Sequence, residues 1–501
     1  MNLGMLLDLA ADGLGDRVAI GSRRGGTTYA EIRQMASAAA AALAASGSGT
    51  LALVDQTGPV VPVALFAAAW AGVSYAPLNY RLPPTALREL LNRLGDTVVV
   101  YGAEHHDALT GAHELTVTET GTWLEGLRAG EGGGAYVDEP GRPAVLLFTS
   151  GTSAAPKAAV LDHDNLLAYL LNTVEFASAE EDEAVLVSVP PFHIAGVAGV
   201  LSSIYAGRRI VPLARFTPED WLRTARDEGV THAMVVPTML DRIVAAMEAD
   251  PSLRVPTLRN LSYGGARMPV PVLERALELF PDAGFVNAYG LTETSSTVAL
   301  LGPDDHRAAL SSTDPVIRER LASVGKPLPS IEVQVVDEDG KVLGAGEVGR
   351  LRIAGPQVAG TYLDDSASAV DEGWLVTGDL GYVDADGYLF IKGRADDVII
   401  KGGENISPSE IEDWLLRHPD VTAAAVVGVP DEEWGERIGA MITTRAGADL
   451  ATADLTAWVK ERIGTLTTPE IIEVREELPM TPTGKILRRV VREELAGPSP
   501  A

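Results

Sequence analysis

The chain has 501 residues, room for two to five domains at roughly 100–200 residues each. Lys and Arg total 40 against 69 Asp and Glu, and the resulting charge of −29 repels phosphate backbones and anionic lipid. Nucleic acid and membrane insertion are therefore not expected. Cysteine is absent, which excludes disulfides, thiolate metal sites and a cysteine nucleophile.

The opening MNLGMLLDLAADG carries no basic run, and Asp8 breaks its apolar stretch, so it does not read as a signal peptide. Two uncharged stretches, 56–80 and 186–207, are long enough to span a bilayer. Prolines punctuate both, and Ala and Gly dilute them. Buried helix-plus-strand in a cytoplasmic protein is the expectation.

Residues 1–140 alternate Ala-rich helical runs (29–45, 61–71) with short strand runs (51–54, 97–101). AVLLFTS (144–150), AVLVSVP (184–190), HAMVVPT (232–238) and LRNLSYGG (258–265) continue that alternation. It predicts layered α/β structure with largely parallel sheets. From about Leu321 the texture changes. IEVQVVDEDGKVL, GEVGRLRIAG and GYVDADGYLFIKG alternate as strands do and carry Asp-Gly turns, the signature of antiparallel hairpins. After Arg394 a smaller α/β unit follows: a helix over 408–418, a strand over 423–429, a helix over 455–463 and a basic close at Arg488–Arg489. The predicted fold is α/β. A large N-terminal domain (1–393) holds layered sheets and a β-rich subdomain; a small, mobile C-terminal α/β domain (394–501) hinges near 394–397.

Five segments carry chemistry. FTSGTSAAPKAAV (148–160) empties a strand into a Gly/Ser/Thr loop with Lys157, the arrangement by which amides and hydroxyls cradle a polyphosphate. It is not a Walker A loop, because Pro156 and Ala158 flank the lysine. NAYGLTETSS (287–296) groups an aromatic, a glycine, hydroxyls and Glu293, a carboxylate able to hold a divalent cation or to cap a helix. WLVTGDLG (374–381) presents Asp379 on a predicted tight turn, where it could accept from a ribose diol. GRADDVIIKGGENISPSEIE (393–412) joins a basic residue, an acidic pair and a GG turn. PMTPTGKILRR (479–489) sets Lys485 on a turn. Each could be ordinary turn chemistry if it stood alone.

In this order, the five segments resemble those of the acyl-adenylate-forming enzymes: acyl- and aryl-CoA synthetases, peptide-synthetase adenylation domains and beetle luciferases. AGVSYAPLN (71–79), PPFHIAG (190–196), YGGARMP (263–269) and VVGVPDEEWGE (426–436) extend the resemblance over nearly the whole chain. It implies that a carboxylate attacks the α-phosphate of Mg-ATP and that the coenzyme A thiol then displaces AMP. It further implies that Thr149, Ser150, Gly151, Thr152, Ser153 and Lys157 surround the outer phosphates. Gly265, Ala266 and Arg267 would line the adenine and acyl pocket, and Tyr289, beside Gly290, would pack on adenine. Thr292 and Glu293 would serve the α-phosphate and Mg2+, with Glu293 the metal ligand. Asp379 and Arg394 would hold the ribose. Lys485 would bridge the carboxylate and α-phosphate, Asp396 would be the hinge, and Gly402, Gly403 and Glu404 would line the pantetheine channel. His193 would stand where that channel meets the acyl pocket.

The phosphate loop departs from the family's usual T-S-G-T-T-G-x-P-K-G at Ser153, Ala154 and Ala158. An added Cβ can obstruct a phosphate and is strained wherever φ is positive. LTTP (466–469) also lacks the basic residue common before that proline. The expected function is an acyl-CoA synthetase acting on a hydrophobic, non-amino carboxylic acid with ATP, Mg2+ and coenzyme A. One alternative only thioesterifies an acyl-adenylate (acyl-AMP) supplied by a partner adenylating enzyme, and another binds nucleotide or acyl group without catalysis. PPFHIAG lacks the aspartate by which adenylation domains typically bind an α-ammonium.

Overall fold

In the computed structural model, residues 2–109, 116–130, 143–149, 156–363, 370–431, 433–445, 447–448, 450–480 and 486–497 are described. Two large sheets dominate. A nine-stranded sheet runs in spatial order Lys326–Pro327, Ser296–Leu301, Gly284–Leu291, Asn260–Gly264, His232–Val235, Ala184–Val187, Arg209–Pro212, Val18–Ile20, Thr27–Thr28. Its middle strands pair in parallel and its edges antiparallel. A seven-stranded sheet runs Thr361–Tyr362, Lys157–Asp162, Pro143–Thr149, Ser74–Pro77, Thr50–Val54, Thr97–Tyr101, Thr116–Glu119.

The helix Val60–Ala71 shows how the two sheets are joined. It is apolar all round, and every residue from Val60 to Trp70 is buried. Its cluster includes Ile20 and Ile210 from one sheet and Leu53, Tyr75 and Leu147 from the other. A helix with no polar face fits only between layers. The stretch 56–80 is therefore core, as the prolines implied, and no helix among the described residues is long and apolar enough to cross a membrane.

The hairpin-rich segment after Leu321 forms a five-stranded antiparallel sheet of Glu332–Val336, Gly349–Ala354, Trp374–Val383, Val370–Asp371 and Leu389–Arg394. A second five-stranded sheet comprises Glu404–Ile406, Ile399–Lys401, Gly435–Thr444, Val421–Asp431 and Ile471–Arg475. It takes all its strands from beyond Arg394 and carries the helix Pro408–Leu416 on its own apolar cluster. The fold is α/β as expected, a large N-terminal part followed by a small C-terminal one. Between them a short 3-10 turn, Ala395–Asp397, links the last strand of the hairpin sheet to the next sheet.

Candidate active site

The strand Gly284–Leu291 delivers the central groups. It lies between Asn260–Gly264 and Ser296–Leu301 and ends in the 3-10 turn Thr292–Thr294, so Tyr289 and Glu293 stand at the C-terminal end of that strand. Thr294 is fully buried; its hydroxyl donates to the carbonyl of Leu291 and accepts from the Leu291 N–H. That lock sets the turn, and Glu293 projects half-exposed beside it. Thr292, also half-buried, closes the turn by accepting the Ser295 N–H at 3.1 Å. Gly290 follows Tyr289 at a register shift in the pairing with Ser296–Leu301.

Asp379 meets Tyr289 from the hairpin sheet. It is 5% exposed, and its position corrects one expectation: it is not on a tight turn but inside the strand Trp374–Val383, opposite Arg394. Gly378 takes φ +75° within that strand, and a Cβ there would stand 3.0 Å from Arg394 Nη2. The Gly-Asp pair thus marks a bulge that admits the guanidinium, not a chain reversal. Asp379 Oδ2 accepts from the Tyr289 hydroxyl at 2.5 Å, and Oδ1 accepts from Arg394 Nη1 at 3.0 Å. The Asp379 N–H donates to Thr377 Oγ1, and Arg394 also donates to the Thr377 carbonyl. Burial pushes the Tyr289 phenol well above its ordinary range, and the Asp379 charge adds to it. Burial opposes the Arg394 cation, but Asp379, with smaller help from Tyr289 and Asp396, offsets this and raises its pKa.

Lys157 begins the strand Lys157–Asp162 and pairs with Thr149, whose hydroxyl donates to the Lys157 carbonyl. Its ammonium stands 5.2 Å from the centre of the Tyr362 ring, and the Tyr362 hydroxyl donates to Glu293 Oε1 at 2.8 Å. Ser150, Gly151, Thr152, Ser153 and Ala154, and the catalytic candidate Lys485, lie outside the described residues. Ala158 is described. It is buried in a regular strand opposite Phe148, and it is not among the residues with positive φ. Its backbone is therefore unstrained, and the missing glycine at that position costs nothing in conformation.

The other candidates sit around this centre or apart from it. Gly265, Ala266 and Arg267 are exposed just after Asn260–Gly264. The Arg267 guanidinium turns to the C-terminal unit, where it pairs with Asp413 and donates to the Ser409 carbonyl at 3.2 Å. Burial raises the Asp413 pKa against the pull of Arg267. His193 precedes the helix Ile194–Ala206 with its ring 4.6 Å from that of Phe192, which Tyr80 meets edge-on. Asp396 is exposed in the 395–397 turn. Gly402 and Gly403 take φ +59° and +87° between the paired Lys401 and Glu404, the two-residue hairpin that needs positive φ twice. That tip is exposed and packs on Trp434. In LTTP, Thr468 is buried and its hydroxyl donates to the Gly464 carbonyl.

Tyr362 and Thr377 were missed in the sequence. Thr377 stands inside WLVTGDLG but was not singled out there, and Tyr362 has no local signal, since it reaches Glu293 across 69 positions. The set fits a magnesium nucleotide. Asp379 offers a fixed carboxylate to hydroxyls, Lys157 a cation, and Glu293 a hard oxygen. No group of three or more metal-ligating side chains occurs among the described residues. One carboxylate suits Mg2+ held mainly by phosphate oxygens and water.

Layered α/β sheets, with a buried carboxylate, a lysine and a glutamate brought together at the end of one strand, are the arrangement that the acyl-adenylate-forming resemblance implied. The chain belongs to the AMP-binding enzyme family: the family model matches residues 7–363, and that of the C-terminal domain matches residues 410–485. It is 33% identical over 485 residues to a feruloyl-CoA synthase of Amycolatopsis, covering 94% of each chain. Its fold matches o-succinylbenzoate CoA synthetase of Bacillus subtilis in complex with its acyl-adenylate, with a TM-score of 0.82, 28% identity and coverage of 97% and 98%. ATP-bound MatB of Rhodopseudomonas palustris matches with a TM-score of 0.88, 26% identity and 99% coverage of each chain.

Proposed function

We propose that the chain is an ATP-dependent acyl-CoA synthetase for a hydrophobic carboxylic acid. The acid's carboxylate oxygen attacks the α-phosphorus of ATP, and the bond to pyrophosphate breaks. The thiolate of coenzyme A then attacks the acyl carbonyl, AMP leaves, and the thiol proton passes to solvent. The observation that carries this reading is the convergence at one strand end of two networks, Tyr289–Asp379–Arg394 and Glu293–Tyr362–Lys157.

Asp379, fixed from three sides, would accept from the ribose hydroxyls, with Arg394 beside it. Glu293 and Thr292 would hold the metal and the α-phosphate, and Lys157 the outer phosphates. Mg2+ supplies neutralisation of the polyphosphate charge. Lys485 would stabilise charge as the carboxylate attacks, and the unit from 394 onward would swing about Asp396 to bring Gly402–Glu404 to the acyl channel. The unstrained Ala158 favours direct use of ATP over an adenylate supplied by a partner. The feruloyl-CoA synthase relative supports coenzyme A as acceptor. The test offers aryl and medium-chain acids with ATP, Mg2+ and coenzyme A, and follows AMP and thioester. Stoichiometric AMP and thioester from a hydrophobic acid is expected; no thioester from any acid or supplied acyl-adenylate would refute the reading.

A further inference from the structure

We infer that Tyr362 is a positioning residue, aiming Glu293 at the nucleotide's metal and resting Lys157 beside it; this rests on the function proposed above. Three contacts fix the short segment that carries it. Thr361 and Tyr362 pair antiparallel with Val160 and Ala159, on the strand that leaves the phosphate loop. The Leu363 N–H donates to the Ala158 carbonyl at 2.9 Å. The Ala359 N–H donates to the Glu293 carbonyl at 2.7 Å. Residues 359–363 therefore bind the backbone of Glu293 at one end and the Lys157 strand at the other.

The side chain acts on the same two groups. Its hydroxyl donates to Glu293 Oε1 at 2.8 Å, and its ring face lies 5.2 Å from the Lys157 ammonium. A carboxylate has roughly four lone-pair sites, so one tyrosine fixes its direction and leaves the rest for a cation. An ion pair between Lys157 and Glu293 would instead occupy both. A tyrosine touching both keeps each charged group near the ligand without joining them.

The test compares wild type, Tyr362→Phe and Tyr362→Leu by calorimetric binding of ATP with and without Mg2+, and by steady-state kinetics. Phenylalanine keeps the ring and removes the hydroxyl. Its Mg-ATP affinity is expected to fall about 10-fold, the size of one hydrogen bond to a charged group. Its affinity for metal-free ATP should change less than about twofold, and KM for Mg-ATP should rise more than kcat falls. Leucine should weaken metal-free ATP as well. In a Glu293→Ala background, which removes the acceptor, Tyr362→Phe should add nothing, which tests the link even where the leucine variant fails to fold. Equal loss with and without Mg2+, or Mg-ATP binding like wild type, overturns the role of Tyr362 alone. A wild-type chain that binds no nucleotide overturns the proposed function with it.

Discussion

The Tyr289 hydroxyl donates to Asp379 at 2.5 Å across 90 positions of sequence, tying the nine-stranded sheet to the hairpin sheet at a buried carboxylate. Removing the phenol leaves Asp379 with one acceptor oxygen unserved. Tyr289→Phe is expected to weaken ATP by roughly 10-fold and to destabilise the fold by about 1–3 kcal/mol, the cost of an unsatisfied buried group. Urea unfolding and nucleotide titration of the same variant measure both. An unchanged ATP affinity would remove Asp379 from the ribose site.

Lys485→Ala is expected to cut adenylation by on the order of 10²–10³ and to leave thioester formation from a supplied acyl-adenylate nearly intact. On the proposed reading, a unit that swings between half-reactions would show this lysine to the substrate in one of them only. Equal loss in both half-reactions would contradict the two-state motion.

Arg267 and Asp413 join the N-terminal sheet region to the helix Pro408–Leu416. Arg267→Glu should loosen the C-terminal unit, read as faster proteolysis in residues 394–397, and Asp413→Arg in the same chain should restore resistance. Cleavage that ignores both changes would show that the pair does not hold the unit.

Glu293 and Lys157 were legible as candidates because family motifs cluster at strand ends, and the structure places both at strand ends. Asp379 was legible as a residue but not as a conformation. Gly-Asp signals a turn in local sequence, and only the pairing of Trp374–Val383 with strands on both sides shows that the glycine makes a bulge. Tyr362 was illegible, since its role depends on a two-residue strand finding a partner far away in sequence. The alternation of strands and Ala-rich helices gave the layers directly, because a helix such as Val60–Ala71 can be buried only between sheets.

Ala158 shows the same limit. As a substituted glycine it signalled strain, yet it occupies an ordinary strand position with its methyl buried. Ala158→Gly is therefore expected to lower stability by roughly 0.5–1 kcal/mol and leave adenylation unchanged. Increased pyrophosphate exchange in that variant would show that the methyl obstructs ATP after all.

His232 gives the fold an acid-sensitive point. Burial, with Arg208 and Arg259 nearby, lowers its pKa from 6.5 to about 3, and Asn260 bonds its Nε2 at 2.9 Å. The folded chain keeps it neutral while the unfolded chain protonates it below its ordinary pKa. Stability from this group is thus full above about pH 6.5 and is lost as pH falls toward 3, a loss on the order of several kcal/mol in full. Between pH 7 and 5, wild type should lose more urea resistance than His232→Gln. Equal losses would show that another group sets the acid limb.

The most direct test of the whole account is acid-dependent exchange of labelled pyrophosphate into ATP by the unmodified chain. Exchange that requires a hydrophobic acid and Mg2+, and is abolished by Lys485→Ala, is the expected result. No exchange with any acid, alongside brisk turnover of a supplied acyl-adenylate with coenzyme A, would contradict ATP-dependent adenylation by this enzyme.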